Sequence, residues 1–120
     1  MRIYVAHPTD MDYEGEIYRP LRSDSFFSKH DLILPHEGTS KITNIRDDYK
    51  NVDIVIAECS KPSTGVGIEL GWFYDEEKPI YCFYKTGAKP SRAVIAIARE
   101  VVEYSNSNDL INRIRNIIEN

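Results

Sequence analysis

Asp53-Ile-Val-Ile-Ala57 runs through Glu58-Cys-Ser-Lys-Pro62 into Ser63-Thr-Gly-Val-Gly-Ile-Glu-Leu-Gly71. The first piece is an apolar run, as expected of a strand covered on both faces. The last piece spaces three glycines, Gly65, Gly67 and Gly71, around one carboxylate, Glu69, at what reads as a helix start. Strand, short loop and helix start form the unit of an open α/β sheet, which binds its ligands at the carboxyl ends of the strands. Glycines there let a ligand approach the backbone or let a helix pack tightly. The helix dipole at that end favours an ionised acid. Short glycine patterns also recur by chance. On the local pattern alone, Glu69 reads equally as a ligand-facing acid and as a solvated helix-start acid.

Outward from this segment, strands and helices alternate. Arg2-Ile-Tyr-Val-Ala6 predicts a first buried strand, ended at His7-Pro8 because proline cannot donate to the ladder. Tyr13 to Lys29 predicts a helix with Ile17, Leu21 and Ser25 on one face, in which Pro20 forces a kink or a late start. Asp31-Leu-Ile-Leu-Pro35 predicts a second strand, Thr39 to Lys50 a helix, and Asp53 to Glu58 the third strand. Gly65 to Glu77 then reads as a helix, Lys78 to Tyr84 as the fourth strand, and Lys85 to Lys89 as a polar, glycine-containing turn. Ser91 to Ala98 predicts a short helix and Glu100 to Tyr104 a fifth strand. Ser107 or Asn108 caps a last helix with Leu110, Ile111, Ile114, Ile117 and Ile118 on its apolar side. The expectation is one domain over residues 1–120. It is an α/β, three-layer, doubly wound fold, flavodoxin- or Rossmann-like, with a five-stranded parallel sheet of order 2-1-3-4-5. Its switch point beside the first strand brings together His7, Pro8 and the loop from Glu58 to Gly65.

Composition narrows the class. A chain of 120 residues suits one domain. A net charge of −4 with no basic stripe argues against a nucleic-acid polymer as partner. No apolar run reaches the roughly 20 residues that span a membrane. Met1-Arg2 leads straight into a strand, without a signal-like opening, and the expected location is cytoplasmic. Cys59 and Cys82 fall in or beside predicted buried strands and read as reduced core thiols. His7, His30 and His36 lack ligand-like spacing, so neither a metal site nor a cofactor is expected.

Three segments then carry a resemblance. Asp53 to Gly71 resembles the signature of the nucleoside 2-deoxyribosyltransferase-like superfamily, on the side of the 2'-deoxynucleoside 5'-phosphate N-hydrolases. Ile3-Tyr-Val-Ala-His-Pro8 is similar to that family's first strand and ligand loop. Lys89-Pro-Ser-Arg-Ala-Val-Ile95 is similar to its late segment, which reaches a neighbouring subunit's site. The resemblance implies that Glu69 is a nucleophile and Tyr4 the tyrosine contacting it. It implies that Ser63 and Gly65 hold a 5'-phosphate, with Gly67 in the same glycine segment, and that Ser91 is a phosphate ligand lent by a second subunit. His7 and Pro8 fall on the first ligand loop. That loop continues Thr9-Asp10 where the hydrolases often carry a serine and an arginine, and Asp10 has the wrong charge for a phosphate. The family's proton-transfer aspartate falls on Ile45. Asp48, one helical turn on, is the nearest candidate, with Asp47 adjacent.

The implied reaction is hydrolysis of the N-glycosidic bond of a (deoxy)nucleoside 5'-monophosphate through a covalent glycosyl-Glu69 intermediate. A retaining route needs one carboxylate as nucleophile and a second group as acid and base, roughly 5–5.5 Å apart in glycosidases. A serine at 63 suits a phosphate, whereas the transferases usually carry an aspartate there. Two other readings stay open. One is a nucleoside 2-deoxyribosyltransferase that exchanges bases on deoxyribose. The other is a non-catalytic nucleotide-binding module. The expected partners are a nucleoside or nucleotide and at least one further copy of the chain. Tyr4 also reads as a plain sheet residue, His36 as a turn residue, Ser91 as a helix cap, and Trp72, Phe73 and Tyr74 as core or dimer contacts.

Overall fold

In the computed structural model, which describes residues 1–38 and 50–120, the apolar runs form five strands. They are β1 (Arg2–Ala6), β2 (Asp31–Ile33), β3 (Ile54–Glu58), β4 (Ile80–Lys85) and β5 (Glu100–Tyr104). All neighbours pair in parallel in the order β2-β1-β3-β4-β5, as the alternation of elements predicts. The register sets Tyr4 opposite Val55 and Ala6 opposite Ala57. The strand order reverses beside β1, so the carboxyl ends of β1 and β3 flank a crevice.

Strand alternation sends side chains to two cores. Ile3, Val5, Ile54, Ile56 and Phe83 pack against Leu21 of α1 (Arg19–Ser23) and against Leu110, Ile111 and Ile114 of α4 (Ser107–Glu119). Tyr4, Ala6, Val55, Ala57, Ile80 and Cys82 pack on the other face against Val66, Leu70 and Phe73 of α2 (Thr64–Asp75). Val94 and Ile97 of α3 (Arg92–Ile97) complete that layer. Leu70 and Phe73 are 0% exposed. Truncating either to alanine would cost about 2–5 kcal/mol in lost transfer energy and cavity formation.

Several boundaries differ from the sequence expectation. The helix expected from Tyr13 to Lys29 is three pieces: a wide π turn over Glu14–Tyr18, α1, and a 3₁₀ turn over Phe27–Lys29. Pro20 explains the widening. It cannot donate to the Glu16 carbonyl and its ring would clash there; just before it the Arg19 N–H reaches back five residues to Glu14. Ser25 is exposed, and Phe27 occupies the core in its place. β2 ends at Ile33, short of Pro35. Asn106, not Ser107 or Asn108, caps α4 by accepting from the Asp109 N–H at 2.9 Å. Gly87 has φ +88°, the left-handed conformation that its turn demands of a glycine. The helix expected from Thr39 to Lys50 falls almost wholly on residues 39–49, outside the described residues.

Candidate active site

α2 begins where the chain leaves β3, and its first turn sets the site. Ser63 is extended and caps the helix, its Oγ accepting from the Val66 N–H at 3.3 Å. The Gly67 N–H closes the turn on the Ser63 carbonyl at 3.0 Å. The amides of Thr64 and Gly65 then belong to the helix start that lacks intrahelical acceptors. Farther along, Glu69 lies on the flank of α2 that meets β1. The Tyr4 hydroxyl, on a side chain only 1% exposed, donates to the Glu69 carboxylate. Phe73 packs against the Tyr4 ring at 4.9 Å between centroids. Tyr4 is therefore not a surface-tipped sheet residue. Burial raises the Glu69 pKa and the Tyr4 hydrogen bond opposes the rise. Desolvation thus works against the ionisation that the helix start was expected to favour.

The glycines of α2 are not packing glycines. Among the described residues, a Cβ at Gly65, Gly67 or Gly71 would meet nothing within 4 Å. All three are exposed.

An aromatic group stands at the ends of β1 and β2. The His7 ring stacks on Tyr13 at 4.5 Å and meets the edges of Tyr18 at 5.2 Å and His36 at 5.4 Å. Its tautomer follows from its partners. The Pro8 carbonyl, 2.8 Å from Nδ1, can only accept, so Nδ1 carries the proton. Nε2 then accepts from the Tyr18 hydroxyl at 2.6 Å. That hydroxyl also accepts from the His36 N–H at 3.0 Å. Burial lowers the His7 pKa, the Pro8 carbonyl opposes this, and His36 lowers it further, so the ring is neutral at neutral pH. Burial chiefly pushes the Tyr18 hydroxyl far up, and the charge of Glu69 is among the lesser causes.

On the other flank of the α2 start, a cleft of about 380 Å³ is lined by Lys61, Ser63, Thr64, Gly67 and Ser91 among others. Ser63 and Ser91 thus share one cleft within a single chain. Ser91 sits at the start of α3 without a side-chain capping bond. Glu69 and Tyr4 do not line the cleft. Asp10, on the loop after β1, reaches Lys61 on the loop after β3, with Nζ and Oδ2 3.8 Å apart.

The structure joins Tyr4 to Glu69, Ser63 to Ser91 and Gly67, and His7 to the Pro8 carbonyl. Gly65 lies exposed in the first turn of α2. Asp47 and Asp48 lie outside the described residues. Cys59 and Cys82 are buried and free, as expected of core thiols. Phe73 is core, Trp72 half-buried and Tyr74 exposed. Among the described residues, no three histidine, cysteine or acidic side chains are grouped to hold a metal ion, and no helix is long and apolar enough to cross a membrane. Tyr13 and Tyr18 went unread in the sequence. Five residues apart, they diverge on an α-helix, and the π turn brings their rings to 5.1 Å.

No protein-family model matches the chain, and no curated protein matches it. Solved structures do. A conserved protein from Enterococcus faecalis V583 superposes with a TM-score of 0.70 at 16% identity, covering 97% of this chain and 98% of its own. The CMP N-glycosidase BcmB of Clostridium botulinum gives 0.66 at 17% identity, over 96% of this chain and 99% of its own. A 2-deoxyribosyltransferase from Bacillus psychrosaccharolyticus gives 0.66 at 20% identity, over 92% and 90%. The chain shares the fold of nucleoside 2-deoxyribosyltransferase-like proteins over nearly its whole length.

Proposed function

We propose that this protein is an N-glycosidase that hydrolyses (deoxy)nucleoside 5'-monophosphates. The observation that carries the reading is the hydrogen bond from buried Tyr4 of β1 to half-buried Glu69 of α2. A half-buried acid held by a buried hydroxyl suits a nucleophile better than it suits a plain surface charge. Two likenesses in fold support this chemistry, to a protein named for cleaving CMP and to one named for transferring deoxyribose.

In this reading ionised Glu69 attacks C1' of the sugar and the glycosidic bond to the base breaks. The Tyr4 hydroxyl fixes the attacking oxygen and holds the carboxylate ionised against its burial. The departing base takes a proton from Asp48 or Asp47, the sequence's candidates for that role. Water, deprotonated by the same acid, then cleaves the glycosyl-Glu69 ester and returns free sugar phosphate. The half-buried rings of Tyr13 and His36 offer the base a stacking surface, with buried His7 holding them from behind. Ser63, whose O–H remains to donate, receives the 5'-phosphate with the Gly65 amide, Gly67 and Ser91.

A second reading, base exchange by a deoxyribosyltransferase, is favoured by Asp10 in the first loop. A nucleotide-binding module without catalysis is the reading of another class. Incubation with CMP, dCMP and the other monophosphates and nucleosides, reading free base with and without an acceptor base, separates the three. Free base from monophosphates without acceptor is the expected result. Release that needs an acceptor base identifies the transferase, and binding without release the module.

A further inference from the structure

Glu58 ends β3 with its side chain 3% exposed, on the face of the sheet opposite Glu69, and the proposed reaction gives it no role. Its carboxylate accepts from the Ser60 N–H at 2.7 Å, from the Ser60 hydroxyl at 2.8 Å and from the Tyr104 hydroxyl. The Ser60 Oγ accepts in turn from the Lys85 N–H at 2.8 Å. The Lys85 ammonium reaches Glu16 at 3.0 Å. A carboxylate withdrawn from water persists where donors replace its hydration, and an apolar residue would end the strand at less cost.

What these bonds hold is a loop. Ser60 is pinned from β3 by Glu58 and from β4 by the Lys85 amide. The Cys59 N–H is bound to the Phe83 carbonyl at 2.8 Å. Pro62 fixes its own φ and restricts Lys61 before it. Three residues past Ser60, the stiffened chain delivers Ser63 to the start of α2.

We infer that Glu58 is a positioning residue, which through Ser60 sets the Lys61–Ser63 loop and so aims the Ser63 hydroxyl and the first amides of α2 at the substrate's 5'-phosphate. The inference rests on the phosphate reading above and adds to it a buried acid that touches no substrate.

The test compares Ser60→Ala, Ser60→Thr and Tyr104→Phe with the wild type. KM and kcat are measured for CMP and cytidine, with melting temperature and amide hydrogen exchange. Ser60→Ala is expected to raise KM for CMP about tenfold, the size of one charge-assisted hydrogen bond, with kcat and the KM for cytidine little changed. Ser60→Thr keeps the hydroxyl and restores KM. Tyr104→Phe removes a Glu58 partner away from the loop; it lowers the melting temperature and leaves KM unchanged. Exchange at the Ser63 to Gly67 amides quickens in Ser60→Ala alone. A wild-type KM in Ser60→Ala, or equal KM shifts in Ser60→Ala and Tyr104→Phe, overturns the inference. If the wild type releases no base from any monophosphate, the functional reading fails by itself. The exchange data then decide, and equal exchange in both variants overturns the positioning role.

Discussion

Tyr4 and Glu69 stand 65 positions apart in sequence and share one hydrogen bond across the interface of β1 and α2. The bond opposes the burial that raises the Glu69 pKa. Removing the hydroxyl with Tyr4→Phe leaves burial unopposed, so Glu69 titrates at higher pH. The acidic limb of the kcat/KM profile against pH is expected to move alkaline in Tyr4→Phe, and activity on that limb to fall about tenfold or more. An unmoved limb with reduced kcat alone would show that the hydroxyl does not tune Glu69.

Glu69 itself predicts a trade between stability and activity. Its folded pKa lies above the ordinary 4.5, so the folded state holds the proton more tightly than the unfolded chain. Stability is therefore lost as pH rises from that ordinary value through the raised one, and stays lost at neutral pH. Glu69→Gln removes the half-buried charge. It is expected to melt higher than wild type at pH 7, to lose that advantage below about pH 4, and to release no base at any pH. Melting curves at several pH values on the same preparations as the turnover assay check both halves. Turnover by a folded Glu69→Gln protein would remove Glu69 from the mechanism.

The sheet order was legible because near-continuous apolar runs alternate with helical periods, and right-handed crossovers leave few topologies. β1 and β5 fell where the residues placed them. Glu69 and Tyr4 stood out through the glycine segment and the resemblance it carries. The aromatic group did not, since a π turn has no sequence period of its own and the proline that provokes it lies beyond it. The role of Glu58 was also hidden. A lone acid at a strand end looks solvated until Tyr104, 46 positions away, closes over it. The glycines misled in part: their spacing suggests close packing, yet all three are exposed and a Cβ there would meet none of the described residues.

That bare surface predicts association. Gly71 is exposed on α2 with Tyr74, 56% exposed, and Ile68, 49% exposed. Ile95 of α3 is 42% exposed. A homodimer is expected, with this surface buried between copies. Gly71→Lys tests it cleanly. The added Cβ meets nothing within 4 Å among the described residues, and replacing a helix-interior glycine removes a cost of roughly 1 kcal/mol. The variant should fold at least as stably as wild type yet scatter light as a monomer. A variant of wild-type mass, or a fully active wild-type monomer, would place the interface elsewhere.

The last prediction concerns the phosphate. Ser63 and Ser91 share a cleft with Lys61, while Asp10, the residue of wrong charge, is held by that same Lys61 at 3.8 Å. Both partners are well exposed, 60% and 69%, so the pair is weak and a dianionic phosphate can draw Lys61 away from it. A monophosphate should then outcompete its nucleoside about tenfold or more in kcat/KM, the size of a hydrogen bond to a charged group. Ser63→Ala should erode that ratio. Ser63→Asp should invert it by setting like charges together. Asp10→Asn should increase it, by no more than about fivefold, because an exposed pair restrains Lys61 only slightly. Lys61→Met should lower it while leaving nucleoside kinetics unchanged. The ratio measured across these four variants decides the matter. A wild-type ratio at or below one, unmoved by Asp10→Asn and Lys61→Met, would assign the cleft no phosphate and favour base exchange on free nucleosides.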